Sequence, residues 1–97
     1  MLVSTLTIKT ASASKYLQQL CKHFAHKVPV DWDTSKGEVS FPGGYCRLDA
    51  EPDQLAIRCE ADEEVKLTRV KAIIDDHVKR FAWREDLTLE WQSDRPS

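Results

Sequence analysis

Apolar and polar positions alternate near the start of the chain. Leu2, Leu6 and Ile8 interleave with Thr5, Thr7 and Lys9, the period-two pattern of a half-buried strand. The period then lengthens. Ala13, Leu17, Leu20, Cys21 and Phe24 fall on one stripe at about 100° per residue, which predicts an amphipathic helix over residues 13–27. Thr10-Ala11-Ser12 supplies its N-cap candidate. Tyr16 and His23 flank the stripe, and Gln19, Lys22 and His26 fall on its polar side.

Four short strands are expected next, over residues 28–32, 38–41, 45–50 and 54–61. The turn segments Asp33-Thr34-Ser35-Lys36-Gly37, Pro42-Gly43-Gly44 and Glu51-Pro52-Asp53 separate them, and connections this short favour an antiparallel meander. Asp62 then reads as the cap of a second helix, with Glu63 and Glu64 in its first turn and Lys79 and Arg80 near its end, charges that complement the helix dipole. Its stripe is Leu67, Val70, Ile73, Ile74, Val78 and Phe81, His77 falls inside it, and the helix is predicted to end near Trp83. Leu87, Leu89 and Trp91 alternate with Thr88 and Glu90 as a final strand. A polar tail, expected to fray, starts at Ser93, so a single domain over residues 1–92 precedes a tail over 93–97.

The order β-α-β-β-β-β-α-β predicts the α+β class: a two-layer sandwich with both helices on one face of a curved, mostly antiparallel sheet. The pattern does not fix the order of strands in that sheet. Composition agrees with a globular domain: 97 residues, 41% hydrophobic and 31% charged, enough for one two-layer core. A net charge of −2 weighs against sequence-independent nucleic-acid binding, which needs a basic face. No apolar run is long enough to span a bilayer, and the first ten residues lack the character of a secretory signal. An odd cysteine count favours reduced thiols and the cytoplasm.

Candidate chemistry concentrates in Leu20-Cys21-Lys22-His23-Phe24-Ala25-His26-Lys27, which holds half of the three Cys and three His. Helical geometry limits a metal reading of it. Cys21 and His23 point about 200° apart, and only His23 and His26 share a face, as a metal pair that needs ligands from elsewhere. The plainer reading packs His23 beside Tyr16 and leaves His26 in water. Strand parity supplies a second constellation, because Cys46 and Cys59 face the helices while Cys21 and His77 point inward from them. Three Cys and one His are the ligands of a Cys3His zinc site, but no close Cys-x2-Cys spacing exists, and free Cys is commonly a small core hydrophobe. His77 within an apolar stripe needs a hydrogen-bond partner, for which a neighbouring strand, Tyr45 or a buried water are the candidates. Arg80 and Arg84 can meet an anionic ligand. Trp83 falls on the polar side of its helix. Pro42-Gly43-Gly44 is a turn with no helix after it, and no nucleophile has a base at a recognisable spacing, so an enzyme is disfavoured.

Three blocks together resemble a bacterial family of unknown function, catalogued as domain of unknown function 2218: Tyr16-Leu17-Gln18-Gln19-Leu20-Cys21-Lys22-His23-Phe24-Ala25-His26-Lys27, Phe41-Pro42-Gly43-Gly44-Tyr45-Cys46-Arg47-Leu48 and Asp76-His77-Val78-Lys79-Arg80-Phe81-Ala82-Trp83-Arg84-Glu85. The resemblance implies a compact α+β domain similar to the TATA-binding-protein-like fold. It also implies an association with siderophore-interacting flavoproteins, and hence with iron acquisition. Cys21, His23, His26, Cys46, His77, Arg80 and Glu85 match its pattern. Two functional expectations follow. One is a binding or accessory module in iron or siderophore handling, taking zinc, iron, haem or a siderophore-related ligand through His23, His26, His77, Arg80 and Arg84, or docking onto a flavin-dependent siderophore-interacting protein. The other is a structural or interaction domain that uses the outer sheet face carrying Tyr45, Arg47, Arg58, Glu60 and Glu90.

Overall fold

A computed structural model describes residues 2–81, 89 and 91–94. The elements run β1 (Leu2–Lys9), α1 (Ala13–Phe24), β2 (Val30–Trp32), β3 (Lys36–Phe41), β4 (Gly44–Ala50), β5 (Gln54–Ala61), α2 (Glu64–Phe81) and β6 (Trp91–Asp94). Six strands form one open sheet in the order β2-β3-β4-β5-β1-β6, every neighbouring pair antiparallel. The meander β2 to β5 is as the turns imply. β1 is inserted between β5 and β6, a placement made by the two helical crossovers.

Strand parity builds the core. Leu6, Ile8, Val39, Cys46, Leu48, Leu55, Ile57 and Cys59 point to the helix side and are buried. The five α1 stripe residues, Ala13, Leu17, Leu20, Cys21 and Phe24, are all buried. So are Leu67, Val70, Ile74 and Val78 of α2, and all of these side chains belong to one cluster. Burying a Leu or Ile side chain contributes about 1.5–3 kcal/mol, and this shared layer holds both helices on one sheet face.

Several local features differ from the pattern reading. α1 ends at Phe24, three residues early. Pro29 cannot continue a helix, and the Val28 amide instead closes onto the Phe24 carbonyl at 2.9 Å. Ser12 is the N-cap, but its side chain makes no capping bond; the Thr10 hydroxyl accepts from the Ser12 amide at 3.0 Å. Asp62 stands two residues before α2, with its carboxylate 3.4 Å from Lys66 Nζ. Gln19 is half-buried, not solvated, and its Oε1 is buried with no hydrogen-bond partner among the described residues. β3 starts at Lys36, earlier than expected, because Asp33 Oδ1 accepts from the Ser35 and Lys36 amides and closes the turn in fewer residues. The β3–β4 connection is Pro42-Gly43. Gly43 at φ 81 takes the left-handed position that a type II turn requires after Pro.

The last strand departs most. Most of the expected strand over residues 87–91, and Trp83, Arg84, Glu85 and Glu90, lie outside the described residues. The described strand begins where the expected one ends. Ser93 pairs with Ser4 and Asp94 with Val3, so those two tail residues are part of the sheet. The open edge of β1 accepts any backbone, and Trp91 fixes the register: its Nε1 donates to Asp75 Oδ1 at 2.7 Å, and Lys71 Nζ lies 5.6 Å from its ring.

Candidate ligand site between the helix ends

Both helices bring their C-terminal portions together. The last turn of α1 carries His23 and Phe24, and the last third of α2 carries His77. The His23 and His77 ring centroids are 4.7 Å apart. Phe24 lies 4.8 Å from His77 and meets Phe41 edge-on at 5.2 Å. Phe41 is the final residue of β3, and its parity, shared with Val39, points it at the helices. The site is thus an imidazole pair on a phenyl floor. Strand parity carried the signal for Phe41, though nothing in its neighbourhood suggested a site.

His77 is half-buried at the helix–helix seam and not in the deep core. Nδ1 lies 2.7 Å from the Ile73 carbonyl on its own helix, a partner not among the three anticipated. A carbonyl only accepts, so Nδ1 carries the proton, and in the neutral ring the lone pair sits on Nε2. One turn later Arg80 is exposed and pairs with Asp76 at 3.3 Å.

His23 faces His77 across the helix seam. His26 lies beyond the helix on an exposed turn, where its amide reaches the His23 carbonyl at 3.3 Å. Beside the expected pair His23–His26, the structure sets a cross-helix pair, His23–His77. Desolvation, followed by the nearby His77, Lys27, His26 and Arg80, holds the His23 pKa below its ordinary 6.5. The folded chain therefore disfavours protonated His23. That residue leaves stability untouched above 6.5 and subtracts from it as pH falls through 6.5 toward the lower folded value. On acidification from about pH 7.5 to about pH 5, the wild-type Tm should fall more steeply than that of His23→Gln. Parallel thermal melts across that range check this, and equal slopes would refute it.

The three thiols do not join His77. Cys46 and Cys59 face each other across β4 and β5 with Sγ atoms 2.6 Å apart. Cys21 instead lies over β3, where a Cβ on Gly37 would come within 2.6 Å of its Sγ. Burial pushes the Cys21 thiol up to about 11, and contact with Cys59 together with burial pushes Cys46 far up. All three are buried free thiols. Among the described residues no three His, Cys, Asp or Glu side chains converge to hold a metal ion. No described helix is long and apolar enough to cross a membrane.

Known proteins place this arrangement in context. The NMR structure of PA4090 from Pseudomonas aeruginosa is 34% identical in sequence, with 95% of this chain and 96% of that chain covered and a TM-score of 0.81. No curated protein matches the chain. A family model described as an uncharacterized protein conserved in bacteria (DUF2218) matches residues 5–92, which include the whole helix-end site and every cysteine. The chain belongs to the DUF2218 family.

Proposed function

We propose that this protein is a small binding module in iron or siderophore handling, whose ligand brings most of the metal's donor atoms with it. The observation that carries this reading is the His23–His77 pair, with His77 oriented by the Ile73 carbonyl. Ligating histidines characteristically donate their second N–H to a carbonyl or carboxylate, which fixes the ring and raises the basicity of the other nitrogen. Two imidazoles do not fill a coordination shell. A free ion is therefore a poor match, and haem or a chelated ferric ion is a better one. Half-buried Phe41 offers an apolar edge to a planar group, with buried Phe24 packed behind it. Lys27 and Arg80 supply positive charge for its carboxylates, and Arg84 is a further candidate for that role. A flavin-dependent siderophore-interacting protein is the redox partner such a module would serve.

Haemin and zinc ion are the probes. Titrating the chain with haemin should give a saturable Soret shift, and His77→Ala and His23→Ala should each weaken binding by about 10–100-fold. Zinc alone should bind weakly, and Cys46→Ser should leave haemin binding unchanged. Absence of a saturable shift, or equal affinity in the folded histidine variants, would overturn the reading.

A further inference from the structure

The helices cover one sheet face. On the other, strand register sets charges side by side in cross-strand rows. One cross-strand row runs Asp31, Glu38, Arg47, Arg58 over β2, β3, β4 and β5. All four residues are exposed. Asp31 stands directly opposite Glu38, and Arg47 directly opposite Arg58, so each half of the row sets like charges side by side. Such pairs are unfavourable in an isolated sheet. The adjacent outward row sets Lys36 of β3 against Asp49 of β4. Along-strand pairs, Arg47 to Asp49 at 3.5 Å and Arg58 to Glu60 at 3.1 Å, hold the guanidinium groups on this face without removing the like-charge neighbours.

These two rows change sign at the boundary between β3 and β4, while the third outward row, Ser40, Tyr45 and Glu60, carries its one charge on β5. A two-fold axis parallel to the strands at that boundary exchanges β3 with β4 and β2 with β5, while keeping each residue at its own height along the strand. Glu38 then lies over Arg47 of the other copy, Asp31 over Arg58, and Lys36 over Asp49. Every one of these contacts occurs twice, as an isologous interface requires. Strand directions stay aligned, as in sandwich packing of two sheets.

We infer that the outer sheet face is a self-association surface that pairs two copies of this chain face to face through these charge rows. The occupant is a second copy because the face is complementary to itself. A uniformly acidic or basic partner would meet repulsion over half of the row. The interface is polar, so it is salt-sensitive and its exchange is fast.

Sedimentation equilibrium on the full chain tests this. At low salt and protein concentrations up to about 1 mM, a monomer–dimer equilibrium is expected, weakening as salt rises to about 0.5 M. Glu38→Arg and Arg47→Glu each turn the central contacts repulsive, and each should sediment as a monomer. Mixed in equal amounts, the two variants place Arg over Glu at both contacts and should regain the dimer as a heterodimer. Both sites are exposed, and a thermal melt verifies that each variant is folded. A monomeric wild type, a dimer that survives both single variants, or a mixture that stays monomeric would overturn the inference.

Discussion

Leu48→Ala is expected to cost about 2–5 kcal/mol of unfolding free energy, toward the upper end of that range. Leu48 is fully buried near the middle of β4, with Gly37 and Ile57 directly across from it on β3 and β5. Truncation loses the transfer energy of the side chain and leaves a void that the surroundings must collapse to fill. On the β3 side the void borders Gly37, which has no side chain to move in. Domains of this size typically have about 5–15 kcal/mol in total, so this substitution removes a large share. Urea unfolding should show a lower midpoint with an unchanged slope. A midpoint within error of wild type would mean that β4 is not central to the core.

Gly37→Ala is the second large effect, with the opposite cause. A Cβ at this position would come 2.6 Å from Cys21 Sγ, 3.6 Å from Trp32 Cβ and 3.7 Å from Leu17 Cδ2. Cys21 and Leu17 are themselves fully buried and cannot swing away. Overpacking of this kind costs about 1–3 kcal/mol, which lowers Tm by about 4–8 °C per kcal/mol in a domain of this length. Removing the obstructing sulfur separates a clash from loss of glycine flexibility. The double variant Gly37→Ala, Cys21→Ala should be more stable than Gly37→Ala alone, although Cys21→Ala by itself deletes a buried group. A coupling of about 0.5–3 kcal/mol is expected for residues in contact. If the two changes simply add, backbone entropy and not overpacking explains the loss.

The α1 stripe, the α2 stripe and the inward parity of Cys46 and Cys59 were legible in the sequence because each rests on the local periodicity of a single element. Sheet order was not. Placing β1 between β5 and β6 depends on backbone pairing across as many as 90 residues, for example Val3 with Asp94, and side-chain pattern carries no code for it. Ser93 and Asp94 looked like tail because they are polar, yet an edge strand needs hydrogen bonds more than apolar side chains. Half of the candidate site was readable. Helical angle placed His23 on the flank of the α1 stripe and His77 within the α2 stripe, but neither angle says which helix faces the other. The same arithmetic offered His26 as the companion of His23 and had no means of showing that His77, on the other helix, also comes alongside. The Ile73 carbonyl was missed because a backbone acceptor leaves no trace in a pattern of side chains.

During synthesis, the position of β1 imposes an order of events. β1 leaves the ribosome before the other described strands of this sheet, yet neither of its neighbours exists until residues 54–61 and then 91–94 have followed. The β2–β5 hairpins close over short separations and can assemble while β1 waits, with both of its hydrogen-bonding edges open and Leu6 and Ile8 uncovered. Late closure of long-range strand pairs slows folding and exposes edges to other chains. The waiting β1 is therefore the segment of this domain where a chaperone would have the most to shield.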